Sequence, residues 1–375
     1  MKFPYNDIIS LLDERLEYNL AESTNKDLVL EEIWYPSFEK GLKNLKLEYG
    51  TSQGAEELRI LIARKLEVGK EEIVVTNGSA FGIFLSMLCL CEKGDEVLTV
   101  QPNFPPTMDL IVGLGFKKKL LKLSFDDEYR LDEKLLFEAI SERTKLIILV
   151  TPLNPTGSVL GYNQIESISD RLKEERPNCK LLIDETYREA TYGSNPVLPT
   201  FAGLNENIIT VSSLSKCHGT PGLRMGWLHS NDDTFVKEVC IAKMNTVISN
   251  SVLDEYVAVQ VLQKEPEIFE ARRAHSITGL NLTKDWVDLN KAYIDWNEPQ
   301  AGALCCIKLR ESQYDLDRVE AFYSNARKAN IQLASGEWFG EEKRFFRLGF
   351  GYMSIENLNR TLDALTGIVQ HIASQ

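Results

Sequence analysis

From about Gln53 onward, short unbroken apolar runs alternate with longer stretches in which apolar positions recur every three or four residues. The runs Ile73–Thr76, Glu96–Val100, Lys119–Leu123, Leu146–Val150, Lys180–Asp184, Ile208–Val211 and Gly226–His229 predict strands. Helical spacing predicts helices near Ala55–Leu66, after Asn77-Gly78-Ser79 as far as Cys91, at Leu135–Ser141 and at Ile165–Glu175. Strands that are apolar throughout and separated by helices imply a mostly parallel sheet covered on both faces. The stretch Val252–Asn290 is charged and helix-compatible, with no glycine before Gly279, and reads as a connector. Beyond it, a strand at Ala303–Leu309, a helix at Leu316–Asn330, a strand at Arg344–Phe350 and a helix at Ile355–Ile372 predict a smaller α+β unit. The expected class is therefore α/β, with a large sheet between helices and a second, smaller domain.

Composition narrows the partners. The 375 residues carry 42 basic and 55 acidic side chains, a net charge of −13. Binding to a phosphate backbone needs clustered Lys and Arg, so no nucleic-acid partner is expected. The chain is 43% hydrophobic, too much for a disordered polymer. Its 7 cysteines cannot all pair, and they lie in apolar runs such as Leu88-Cys89-Leu90-Cys91, which suits reduced core thiols. The histidines His218, His229, His275 and His371 are scattered and no paired Cys-x-x-Cys occurs, so no metal site is expected. No apolar run is long enough to span a bilayer, and the opening MKFPYNDIIS lacks a signal-peptide core. The expectation is a cytoplasmic enzyme without a membrane partner.

In such sheets ligands bind beyond the carboxyl ends of the strands. Four clusters lie at predicted strand ends: Asn77-Gly78-Ser79-Ala80, Asn154-Pro155-Thr156-Gly157, Asp184-Glu185-Thr186-Tyr187, and Ser213-Leu214-Ser215-Lys216 with Pro221-Gly222-Leu223-Arg224 just after. Singly, the first reads as a helix cap and the second as a turn. Asp184 could be the acidic strand end of a nucleotide hydrolase, but Gly69-Lys70-Glu71 lacks the earlier glycine and the hydroxyl of a phosphate loop. Gly113-Leu114-Gly115 likewise lacks the third glycine of a dinucleotide fingerprint.

Together and in this order, the clusters resemble the pyridoxal-phosphate enzymes of fold type I, specifically the class I/II aminotransferases. The resemblance runs from about Tyr49 to Phe350, and the string Ser-Leu-Ser-Lys-x-x-Gly-x-Pro-Gly-Leu-Arg-x-Gly-Trp at Ser213–Trp227 is its most specific part. It implies pyridoxal 5'-phosphate as cofactor, held as a Schiff base by Lys216, whose freed amine then serves as base on the substrate Cα. Asp184 matches the carboxylate that keeps the pyridine nitrogen protonated. Tyr187 and Asn154 match donors to the ring's phenolic oxygen. The phosphate falls at the helix N-terminus Gly78-Ser79-Ala80, with Ser213, Ser215 and Arg224. Phe104 matches the aromatic stacked on the ring. Arg347, with Asn154, matches the clamp for the substrate carboxylate, a role suited to a five-donor fork. Tyr49 matches a residue that reaches the neighbouring subunit's phosphate, which implies a homodimer with shared sites. The implied division is a large domain at 42–275 and a small domain formed by 1–41 and 276–375.

Some positions depart from the pattern. Thr151 stands where the family often has Asn, Thr107 replaces a second aromatic, and Glu337-Trp338 interrupts Ser335-Gly336…Phe339-Gly340, a loop the resemblance places near the substrate. The implied reaction moves an amino group between an L-amino acid and a 2-oxo acid. A lyase, decarboxylase or cyclase would share every cofactor residue and is the rival within the family. A non-enzymatic sensor would need an N-terminal DNA-binding region, for which the start of the resemblance leaves little room.

Overall fold

A computed structural model describes residues 2–14, 16–192 and 197–375. The strands are β1 (Tyr18–Asn19), β2 (Ile73–Thr76), β3 (Glu96–Gln101), β4 (Lys117–Lys122), β5 (Thr144–Val150), β6 (Lys180–Asp184), β7 (Ile208–Ser213), β8 (Gly226–His229), β9 (Ile294–Trp296), β10 (Leu304–Leu309), β11 (Ile331–Gln332), β12 (Ala334–Ser335) and β13 (Phe345–Gly349). Seven of them form one sheet in the order β2-β8-β7-β6-β5-β3-β4. Only β8 runs against its neighbours. The carboxyl ends of β2, β3, β5, β6 and β7 therefore share one edge. Asp184 ends the central strand, in register with Val150 on one side and Val211 on the other.

Alternate residues explain why the sheet needs cover on both faces. Ile147, Leu149, Leu181 and Ile183 pack with Ile165, Ile168 and Leu172 of the helix Tyr162–Glu175. Leu146, Ile148, Leu182 and Ile209 point the other way, onto Ile83, Leu85 and Met87 of the helix Ser79–Leu90. Each of these strand residues is fully buried and contributes about 1.5–3 kcal/mol by leaving water.

The stretch expected to be one long helical connector is two helices, Val252–Gln263 and Glu265–Leu289, broken at Lys264. Pro266 causes the break: proline fits the first turn of a helix, but inside one it removes a hydrogen bond. The second helix packs against a 4-stranded antiparallel sheet, β12-β13-β10-β9, which forms the smaller domain. Its core joins Ile307, Phe346 and Leu348 to Phe322, Leu358 and Leu365 of the helices Leu316–Lys328 and Ile355–Ala373. The N-terminal segment is stitched in, because β1 pairs with β11 and Gly349 N donates to Leu20 O at 2.7 Å. A Cβ on Gly349 would lie 1.7 Å from the Glu22 carbonyl oxygen, so only glycine lets the two backbones pass. Among the described residues no helix is long and apolar enough to cross a membrane, and no group of three acidic, His or Cys side chains could hold a metal.

Candidate active site

The site is built where the edge of strand carboxyl ends meets the smaller sheet. After β2 the chain turns through Gly78, with φ of +78°, and enters the helix Ser79–Leu90. A Cβ at Gly78 would sit 2.5 Å from Arg224 Nη2, so glycine supplies both the left-handed turn and the room for the guanidinium. The helix begins at Ser79 and Ala80 without a side-chain cap, leaving first-turn N–H groups and the positive end of the helix dipole at this spot. Arg224 donates through Nη1 to Ser215 Oγ at 3.4 Å and to Pro221 O at 2.9 Å. Ser215 N donates to Ser213 Oγ at 3.3 Å. Gly78, Ser79, Ala80, Ser213, Ser215 and Arg224 thus make a cradle of donors.

Asp184 lies deeper. Its Oδ1 accepts from Thr186 N at 3.0 Å and from Thr186 Oγ1 at 2.5 Å, and Thr186 Oγ1 is 3.0 Å from Ser79 Oγ. Burial pushes the carboxyl up to about 6, although the two Thr186 bonds oppose it. A buried carboxyl with no cation beside it is a site waiting for a positive charge.

Lys216 follows β7 and projects toward the N-terminal segment. Its Nζ donates to Ser23 Oγ at 3.0 Å and to Glu22 Oε1 at 3.3 Å, and Tyr187 Oη donates to the same Ser23 oxygen at 3.0 Å. Burial opposes the Lys216 ammonium, but Glu22 and Tyr187 outweigh it and the pKa lies above the ordinary lysine value. Glu22 shows the reverse balance. Burial raises its carboxyl, and Lys216, Arg347 and the Ser23 N–H bring it down to about 2.

Arg347, on β13, is buried. Its Nη1 donates to Asn154 Oδ1 at 2.9 Å, and Nε donates to Ala21 O at 3.2 Å. Nη2 also reaches Ala21 O, and the guanidinium carbon lies 4.9 Å from the centre of the Phe339 ring. Phe104 sits half-buried at the start of the helix Pro105–Gly113, fixed through the Asn103 Oδ1 bond to its own N–H at 2.6 Å. Asn103 N donates to Phe339 O at 3.1 Å, so the end of β3 is joined to the loop under Arg347.

The fold therefore brings Lys216, Asp184, Tyr187, Asn154, Arg347, Phe104 and the cradle residues to one edge. Tyr49 is not among them: it is 81% exposed on the surface of this single chain. Of the interrupted loop, Phe339 enters the site. Glu337 faces outward, its Oε2 3.9 Å from Lys343, whereas Trp338 is partly buried against Ala21, Ala334 and Phe339, and its O accepts from Asn6 Nδ2 at 3.2 Å. Thr151 Oγ1 accepts from Leu160 N at 2.9 Å and braces the following turn. Thr107 is buried in its helix. Glu22 and Ser23 are unmarked in the sequence, and Thr186 stands in a strand-end cluster without a role of its own. Glu22 and Ser23 lie in an aperiodic polar run with no motif, and nothing but their closeness to Lys216 marks them.

A mostly parallel sheet whose strand-end turns assemble a lysine, a buried carboxyl and an anion cradle defines an enzyme of the pyridoxal-phosphate type. The model of the family "Aminotransferase class I and II" matches residues 17–365, and the chain belongs to that family. Its cofactor is accordingly pyridoxal phosphate, and the lone carboxyl of Asp184 and the glycine-lined cradle fit such a group. Histidinol-phosphate aminotransferase 2 of Carboxydothermus hydrogenoformans is 30% identical over 300 residues, 79% of this chain and 77% of that one. A PLP-dependent aminotransferase from Streptococcus suis superposes with a TM-score of 0.90 at 25% identity, covering 99% of each chain. The PLP-dependent cyclase OrfR shares the fold at a TM-score of 0.86 and 21% identity, covering 99% of this chain and 98% of that one.

Proposed function

We propose that this enzyme transfers an amino group between an L-amino acid and a 2-oxo acid. The reading rests on one observation above all: Lys216 and the buried Arg347–Asn154 pair are joined through the consecutive residues 21–23, which bond to both cations. Pyridoxal phosphate supplies an aldehyde for the amine and an electron-poor ring that weakens the bonds at the amino acid's Cα. The chain's own residues do the rest. Arg347, with Asn154, binds the α-carboxylate and fixes the angle at which the Cα proton meets Lys216. Lys216 Nζ removes that proton and returns one, the work of a general base whose amine is tethered within reach. Asp184 would hold a proton on the pyridine nitrogen, since its burial makes an unpaired carboxylate unfavourable. Tyr187 and Asn154 would donate to the ring's oxygen, Phe104 would cover its face, and Gly78, Ser79, Ala80, Ser213, Ser215 and Arg224 would hold the phosphate.

The same reading includes a homodimer in which Tyr49 completes the partner's cradle. Support comes from apolar side chains left exposed on this chain, Leu47, Ile241, Met244, Ile248 and Leu253, and from Ser249 and Val252 lying close to Gly50, next to Tyr49. Residues 42–275 form the cofactor unit in this reading, 1–41 and 276–375 the smaller one, and the enzyme works in the cytoplasm. A lyase, decarboxylase or cyclase is the second reading, kept by the likeness in fold to OrfR.

The deciding experiment omits the oxo acid. Holoenzyme with an amino acid alone should convert to the pyridoxamine form and release one equivalent of 2-oxo acid per site. Continuous release of ammonia or carbon dioxide without an acceptor would overturn transamination in favour of the second reading.

A further inference from the structure

Between the two cations of the chamber stands a carboxylate that the proposed reaction does not use. Ala21 O accepts from Arg347, and the next two residues turn to Lys216, so residue 22 lies alongside the path from carboxylate clamp to amine. Glu22 is held in place: its Oε1 accepts from Ser23 N at 2.7 Å and Thr24 N at 3.1 Å, besides Lys216 Nζ at 3.3 Å. All three bonds end on Oε1, and Oε2 takes none of them. While Lys216 and Arg347 stand beside it, its carboxyl is held down at about 2 despite its burial. A second carboxyl, Asp27, lies close enough to feel it: burial first and the Glu22 charge second raise Asp27.

The two cations that balance Glu22 are both drawn off when a substrate first enters the holoenzyme. The Lys216 amine would be tied to the cofactor until the substrate frees it, and the substrate's α-carboxylate would take Arg347. A partly buried carboxylate left without a counter-charge must find another cation or take up a proton, and a second carboxyl nearby sharpens that need. An incoming side chain that ends in a cation restores the balance. One that is neutral leaves the deficit, and one that is anionic deepens it.

We infer that Glu22 selects the substrate side chain, and that the site takes an amino acid whose side chain ends in an ammonium or guanidinium group. The inference rests on the aminotransferase reading only for the placement of the α-carboxylate on Arg347.

The test separates binding from turnover. Holoenzyme is titrated calorimetrically with carboxylates that carry no primary amine and so cannot condense with the cofactor's aldehyde: 6-(dimethylammonio)hexanoate, 5-guanidinopentanoate, hexanoate and adipate. The two cations should bind about tenfold tighter than hexanoate, the scale of one charge-assisted hydrogen bond, and adipate most weakly. In Glu22→Gln, which keeps an oxygen for the Ser23 and Thr24 N–H groups, that preference should fall to within about twofold while hexanoate affinity holds. Equal binding of all four by the wild-type enzyme, or a preference that survives in Glu22→Gln, would overturn the inference. If the variant does not fold, the wild-type series still decides. Turnover is read apart, as conversion to the pyridoxamine form by lysine, arginine, leucine and glutamate. Conversion by leucine together with equal probe binding sinks the role of Glu22 and leaves the aminotransferase. Tight cation binding with ammonia or carbon dioxide released sinks the aminotransferase and leaves Glu22.

Discussion

On the proposed reading, the cofactor side and the substrate side of the site are built on different principles. The cofactor side is a row of tight turns, each at the end of a strand in one rigid sheet: Gly78 after β2, Asp184 on β6, Ser213 to Lys216 after β7. Every functional group there is a few residues from the strand that aims it. The substrate side is assembled from separate parts: Ala21 to Ser23, Asn154, and Phe339 with Arg347, which come from three distant stretches of the chain. The lesson is that one fold can keep its cofactor chemistry constant while its substrate varies. The first half is fixed by the sheet, the second by which loops happen to meet it.

The strongest way to break that contrast is to remove Lys216, a residue that both halves share. Lys216→Ala should lower turnover by about 10³-fold or more and abolish the lysine-linked visible band, read by absorbance and steady-state assay. A band that survived as a lysine adduct would mean another lysine holds the cofactor. On the substrate side, Arg347→Ala should raise KM for the amino acid by the equivalent of about 2–5 kcal/mol while cofactor affinity holds. Equal loss of both would show that the two halves are not separable.

On the cofactor side, Asp184→Asn should have opposite effects on two states. The Asp184 pKa of about 6 lies above its ordinary 3.8, so between those values the folded apoprotein binds more protons than the unfolded chain. Stability of the apoprotein is thus lost as pH rises toward 6, and the asparagine variant should be steadier at pH 7 by on the order of 2 kcal/mol. The holoenzyme should lose most of its activity by the same change. Thermal melts of both forms with and without cofactor check the sign.

Gly78→Ala forces a Cβ into the left-handed turn and against Arg224, and should weaken cofactor binding by about 1–2 kcal/mol with little change in KM. The smallest effect belongs to the platform beneath. Lys243 is fully buried and donates to Val75 O at 2.7 Å, and burial brings it down from 10.5 to about 8 against the pull of Glu255. Between those values the unfolded chain holds more protons, so stability rises with pH there. Lys243→Met should lack that rise, seen by comparing denaturant midpoints at pH 7.5 and 9.5.

This division also explains what could be read in advance. The sheet was legible because its strands are apolar on both faces and its helices keep their spacing; β5, β6 and β8 fall within a residue or two of expectation. The strand-end clusters were legible as motifs because each is local. Glu22 and Ser23 were not, because β1 is two residues long and its position depends on β11, some three hundred residues away. The break at Lys264 was missed because Pro266 lies in a stretch whose composition otherwise favours helix throughout. Phe339 was quoted only as part of a loop, and its place under Arg347 follows from the joint between Asn103 and that loop.

The stitching of Leu20 to Gly349 and of β1 to β11 has a consequence for how the enzyme comes into being. During synthesis the strands that carry Asp184 and Lys216 are complete long before β11 and β13 leave the ribosome. Until then the segment with Glu22 has nothing to pair with, and the chamber has no wall on that side. The nascent large sheet can fold early around its local contacts, but the first and last parts of the chain must find each other afterwards, the slowest kind of contact to make. The wall beside Lys216 is therefore the last part of the site to form, after the sheet that carries Lys216 and Asp184.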